Sequence, residues 1–240
     1  MPDVSIDLTL LLVTAIIAVG SAAQAAVGVG LNLFSIPLLM LIAPVYAPGP
    51  VLAASALLSI FALFRVPAEI DRTELSLAFA GLIAGTVGAA IIIAFVDTRY
   101  LVQVMGFIIV MAIGLIISGR SLDITSRNLL AAGGAGGLMG TIAGVHAPPI
   151  AMLYQGLKPE RVRGALLAFI IAGNLLSIFA LWLVNRFGIT QLFAALGLLP
   201  GIVLGLLLAP HLAKHIDADR IRAAVLTISG LSGLMLLLGS

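Results

Sequence analysis

Ten apolar segments separated by short charged clusters constrain this chain more than any other feature. They run Leu8–Ala26, Leu31–Ile42, Val51–Phe64, Leu75–Val96, Tyr100–Ile117, Asn128–Ala143, Pro148–Gln155, Val162–Val184, Gln191–Ala209 and Ile221–Leu238. None contains Asp or Glu, and the only basic residues within these bounds, Arg163 and Arg222, are each the second residue of a segment. A helix needs roughly 20 residues to cross a hydrocarbon core. Most segments reach or approach that length; the second and seventh fall short. The composition agrees: 62% of the 240 residues are apolar and 9% charged, where soluble domains run near about 45–50% and 25%. Twelve Lys+Arg and ten Asp+Glu cannot clothe a water-facing surface. A soluble enzyme, a nucleic-acid binder and a disordered chain are excluded. The expected fold is an all-α polytopic membrane protein, one transmembrane domain over residues 1–240, with about eight spans plus short or re-entrant segments.

The chain has no cysteine, so no disulfide or thiolate metal site enters the argument. The first segment, followed by Ala23-Gln24-Ala25, has the outline of a cleavable signal. However, Asp3 and Asp7 precede it with no Lys or Arg, the reverse of a signal's basic start. It is read as a retained helix with an outward-facing acidic flank.

Both short segments follow a glycine break, Gly28-Val29-Gly30 and Gly144-Val145-His146. Non-helical backbone at membrane depth survives only where it is buried in protein or lines a cavity. The breaks also recur. A shift of 116 positions pairs Gly20 with Gly136, Gly28 with Gly144, Val29 with Val145, Gly81 with Gly197 and Gly85 with Gly201. A shift of 118 matches Leu57–Leu63 with Leu175–Leu181, seven identities in a row. Composition alone explains scattered glycines but not that run. The chain reads as a duplication, residues 8–117 and 128–238.

Loop charge sets the orientation. If each short segment reverses the path of the helix before it, the second repeat is inverted. Ten basic residues (Arg65, Arg72, Arg120, Arg127, Lys158, Arg161, Arg163, Lys214, Arg220, Arg222) then face the cytoplasm, against Arg99 and Arg186 outside. Parallel repeats would split them seven to five. The inverted arrangement is favoured, in the inner membrane, with both termini periplasmic or extracellular.

Inverted repeats with matching helix breaks mark secondary transporters. A helix that starts after a break aims free N–H groups and a positive dipole end at the midplane, which suits an anion. Carbonyls that coordinate a cation usually come with an acid, and the segments hold none. The whole-chain pattern resembles the sulfite exporter family of TauE/SafE-type permeases. It does so in size, in its duplicated halves, and in a glycine break with downstream proline in each half: Gly28-Val29-Gly30-Leu31-Asn32 with Pro37, and Gly144-Val145-His146-Ala147-Pro148-Pro149. The resemblance implies export of sulfite or a short organosulfonate.

The candidate binding residues are Gln24, Gly28, Gly30, Asn32, Ser35, Ser55, Ser59, Gly144, His146, Asn174 and Ser177. His146 is the only titratable side chain placed deep in the membrane. It is a candidate for proton coupling, against a neutral imidazole satisfying freed backbone groups. Asn32 reads as an amide donor to an oxyanion, or as a cap of the next half-helix. Gln24 reads as a ligand contact or an interhelical bond. Asn174 and Ser177, with Ser55 and Ser59 in the matching stretch of the first half, read as ligand contacts or close-packing residues. His211 and His215 are expected in a charged cytoplasmic loop. The partners are the bilayer and a small anionic substrate, and a homo-oligomer is compatible; no nucleic acid, cofactor or metal is implied. The other readings are an anion channel, a carrier of another small organic anion, and a cation or metal transporter. An enzyme would need a constellation of acids, bases or ligands that three scattered histidines do not supply.

Overall fold

A computed structural model describes residues 8–28, 30–65 and 69–239; Asp3, Asp7 and Val29 lie outside the described residues. The described elements are helices: α1 (Leu8–Val27), α2 (Leu31–Ile42), α3 (Gly49–Arg65), α4 (Arg72–Phe95), α5 (Thr98–Ser118), α6 (Ser126–Ala143), α7 (Ala147–Tyr154), α8 (Pro159–Leu183), α9 (Ile189–Gly197), α10 (Leu199–His215) and α11 (Ala218–Leu238), with a 3-10 turn at Pro44–Tyr46. Six stretches among the described residues are long and apolar enough to cross a membrane: α1, α4, α5, α8, the combined Ile189–His215 and α11; α2 and α3 are shorter apolar helices. The protein is a polytopic all-α membrane protein.

Local chemistry explains the helix starts. Side-chain oxygens of Asp71, Asp97, Thr125 and Asp217 accept first-turn N–H groups of α4, α5, α6 and α11, satisfying donors that lack intrahelical partners. The segment expected over Gln191–Ala209 is instead two helices, α9 and α10, meeting at Leu198. Pro200 falls in the first turn of α10, where its missing N–H is harmless. Helix α10 continues through Pro210 to His215. His211 and His215 therefore lie on a helix, not in a loop; their rings stack at 4.7 Å, and the His215 Nδ1 is 2.9 Å from the His211 carbonyl oxygen.

The outer surface is apolar. Phe64, Ile91, Phe95, Phe193 and Leu207 are all exposed, a distribution suited to lipid rather than water. Inside, α4 packs on α6, α1 on α10, α3 on α8 and α5 on α11. Glycines bring two of these pairs to backbone contact. A Cβ at Gly81 or Gly85 would strike the carbonyl oxygen of Leu130 or Gly134 on α6. A Cβ at Gly201 or Gly205 would lie 2.8 Å from the Thr14 oxygen or 2.5 Å from the Ala18 oxygen on α1. The contacts thus match Gly81 with Gly201 and Gly85 with Gly205, one helical turn from the match given by a uniform shift of 116.

The basic ends of the two halves gather on one side. The Glu69 amide donates to the Glu160 carbonyl at 3.1 Å, the Tyr154 hydroxyl donates to Glu74 at 3.0 Å, and Arg161 pairs with Glu74. The connector after α5 joins them through the Leu122 amide and the Met152 carbonyl at 3.0 Å. At the other end, the Arg186 guanidinium donates to Thr98 Oγ1 at 3.2 Å, beside Arg99.

Candidate functional site

Helices α1 and α6 stop where the sequence breaks them. Gly28 and Gly144 hold φ of 76° and 73°, left-handed conformations that a Cβ disfavours. Their amides close the last turns onto the carbonyls of Gln24 and Gly140 at 2.9 and 2.8 Å. The two breaks then meet. Asn32, at the start of α2, donates from Nδ2 to the Gly144 carbonyl at 2.9 Å and to Asn174 Oδ1 at 3.4 Å. Asn174 donates in turn to Ser55 Oγ at 3.1 Å. Residues 142 positions apart thereby join α2 to α8, and Ser55 adds α3.

Above this junction opens a cavity of about 830 Å³. Its walls include Gln24, Gly28, Gly30, Asn32, Ser55, Ser59, Gly144 and His146, eight of the eleven candidate residues, together with Arg65 and Arg163. Arg65 ends α3 and Arg163 lies in the first turns of α8, so this face of the cavity lies on the Arg-rich side. Both side chains are exposed. Sequence reasoning counted them only as loop charges, although their positions at helix ends were available.

The other three candidates are placed differently. Asn174 stands behind the wall, reaching the cavity through Asn32 and Ser55. Ser35 is fully buried against α1, where its hydroxyl donates to the Ile16 carbonyl at 3.5 Å. Ser177 belongs to a second polar cluster: its Oγ is 2.8 Å from Thr141 Oγ1 and 3.1 Å from His146 Nε2, and Thr141 reaches Thr86 at 3.4 Å. The His146 ring is packed where a Cβ at Gly140 or Gly173 would collide with it, so these glycines make its niche. Its Nδ1 has no partner in hydrogen-bond geometry, with the backbone of Gly144 and Gly173 alongside. Thr86 and Thr141 were not among the expected site residues.

The two half-helix starts differ as donors. At α2, Gln24 Oε1 accepts from the Leu31 amide at 3.4 Å, and the Asn32 amide is a first-turn donor. At α7, Pro148 and Pro149 occupy the first turn and carry no N–H. Among the first four donor positions of α7, only His146 and Ala147 retain one. The two half-helix starts thus differ in that α7 carries two prolines in its first turn and α2 carries none there. Among the described residues no group of three or more His, Cys, Asp or Glu could hold a metal ion.

A polar floor where two broken helices meet, under a large cavity in a bundle of apolar helices, is the arrangement of a membrane transporter. The sulfite exporter TauE/SafE family model matches residues 12–236, and the chain belongs to that family, a family of membrane transporters of sulfite or related anions. No curated protein and no solved structure matches the chain.

Proposed function

We propose that this protein is a secondary transporter that exports a small sulfur-containing anion, sulfite or a short organosulfonate, across the inner membrane by alternating access. The observation that carries this reading is the cavity itself. Its mouth holds Arg65 and Arg163, and its floor holds Asn32, Ser55 and Ser59 at the meeting of the two breaks. Exposed cations at a low-dielectric mouth concentrate anions, and amide and hydroxyl groups supply donors to oxyanion oxygens without a neutralising charge. The volume lies within the range of about 300–1,000 Å³ typical of small-molecule pockets, with room for the anion and retained water.

Duplication and inversion supply the second state of the cycle. In support, α4 and α5 end or begin 120 positions before their counterparts: Phe95 and His215 close α4 and α10, and Asp97 and Asp217 cap α5 and α11. The offset grows from 116 at the breaks through 118 in α3 and α8 to 120, as short insertions in successive connections would produce. Packing pairs each half's first helix with the other half's fourth helical segment: α1 with α10, α6 with α4. Under this reading the Arg-rich side is cytoplasmic, the cavity faces inward, and both termini lie outside. His146, next to the break and linked to Ser177, is the proposed proton-coupling residue.

The test uses purified protein. Thermal stabilisation and proteoliposome counterflow are measured with sulfite, short sulfonates, matched carboxylates and cationic amines. Sulfur oxyanions are expected to stabilise the protein and to exchange saturably. Stabilisation by amines or metal cations but by none of the anions overturns the reading, and ion currents far above carrier rates replace it with a channel.

A further inference from the structure

A second, shallower groove of about 430 Å³ lies between α4 and α8, near the end of the molecule opposite the Arg-rich loops. Its wall is almost wholly apolar and would pass for a lipid-facing crevice. The correspondence between the halves says otherwise. At the offset of 118, Leu176, Phe179, Ala180 and Leu183 of the groove correspond to Leu58, Phe61, Ala62 and Arg65, all of which line the large cavity. At the offset of 120 fixed by the glycine contacts, Thr86 and Ala90 correspond to Leu206 and Pro210, which line it as well. Six of the twelve residues lining the α4–α8 groove thus correspond to residues that, in the other half, line the open cavity beside α10 and α3.

A polar path supports the same conclusion independently. Thr86, at the inner wall of the groove, is buried and hydrogen-bonded to Thr141, which is bonded to Ser177, which is bonded to His146 at the break. Four polar side chains thus run from an apolar crevice to the site. Hydrogen-bonded in series, they form a continuous polar link from the groove wall to the break.

We propose that the α4–α8 groove is the outer access route of the transport cycle, closed in this state and opening toward the site when the halves exchange roles. This rests on the alternating-access reading above. The two routes also differ in charge. Leu183 stands where Arg65 does, so the groove wall lacks that cation of the inner mouth.

Absence of native cysteine makes a direct test available. Ala90→Cys and Ala180→Cys report on the groove, and Ala62→Cys, the counterpart of Ala180, reports on the inner cavity. Each is placed in membrane vesicles of known orientation and exposed to a charged, membrane-impermeant methanethiosulfonate, with sulfite efflux followed in parallel. Ala62→Cys is expected to react from the inner face. At least one of the two groove variants is expected to react from the outer face, several-fold faster during efflux than without substrate, and to lose transport on modification. If efflux proceeds and Ala62→Cys reacts from inside while neither groove variant reacts from outside, the outer route is wrong and the transporter reading stands. If no anion moves and Ala62→Cys is inert from both faces, the transporter reading falls and takes the route with it.

Discussion

Replacing Asn32 with alanine separates the binding role of the junction from its structural role, because the two effects differ in size. The amide donates to the Gly144 carbonyl and to Asn174, but its own Oδ1 is buried with no partner. Losing two interhelical hydrogen bonds costs about 0.6 kcal/mol each in a membrane protein. Leaving the Gly144 carbonyl bare adds about 1–3 kcal/mol, and deleting the unsatisfied Oδ1 returns a similar amount. The net change in stability is about 1–2 kcal/mol or less. Binding has no such offset. Of the two donated bonds, the one to Asn174 at 3.4 Å is the longer and is the one an anion would displace. A hydrogen bond to a charged group contributes about 1.5–3 kcal/mol, which at about 1.4 kcal/mol per decade is a roughly 10- to 100-fold rise in Kd. Isothermal titration with sulfite or a short sulfonate, alongside a melting curve, measures both. A folded Asn32→Ala protein that binds its anion within about twofold of the wild type would refute the placement of the site at this junction.

Two further outcomes are expected. Gly85→Ala drives a methyl group into the Gly134 carbonyl, whereas a Cβ at Gly88 on the same helix meets nothing within 4 Å; overpacking costs about 1–3 kcal/mol or more at the first, while the second gains up to about 1 kcal/mol of helix propensity. Detergent melting curves should therefore move in opposite directions, and equal shifts would contradict the close α4–α6 contact. His146→Gln keeps an amide for Ser177 but cannot titrate, so sulfite efflux should persist with a flattened pH profile; an unchanged profile would remove His146 from proton coupling.

Helix existence and the two breaks were legible because few residue types can produce them. A charge-free run of about 20 residues has one stable form in lipid, and glycine at a left-handed φ after such a run ends it at a definite place. Helix register was less legible. The ladder Gly197, Gly201, Gly205 repeats every four residues, so a slip of one turn preserves the pattern, and only contact with Thr14 and Ala18 selects the match. The division of the polar residues was hidden for a related reason. Asn174 and Ser177 are one turn apart on α8, yet Asn174 meets Ser55 on α3 and Ser177 meets Thr141 on α6. Which neighbour covers which side of a helix is a property of the packed bundle. Pro148 and Pro149 were visible from the start, and their consequence needed only the placement of α7's first turn.

That consequence shapes the site. The positive end of a helix dipole resides largely in its unpaired N–H groups, so two prolines remove much of what α7 could offer an anion. The α2 end carries no proline in its first turn, with the Asn32 side chain beside it. One partly buried helix end contributes up to about 2 kcal/mol, and one or two hydrogen bonds to a charged group about 1.5–3 kcal/mol each. These sum to the range that corresponds to millimolar to micromolar dissociation constants, without any buried Arg or Lys. A fully charged pocket would hold a sulfur oxyanion more tightly and release it more slowly, since affinity differences within one site are expressed mostly in the off-rate. Placing Arg65 and Arg163 at the mouth instead raises the local anion concentration while leaving the grip at the floor weak, the combination that turnover requires.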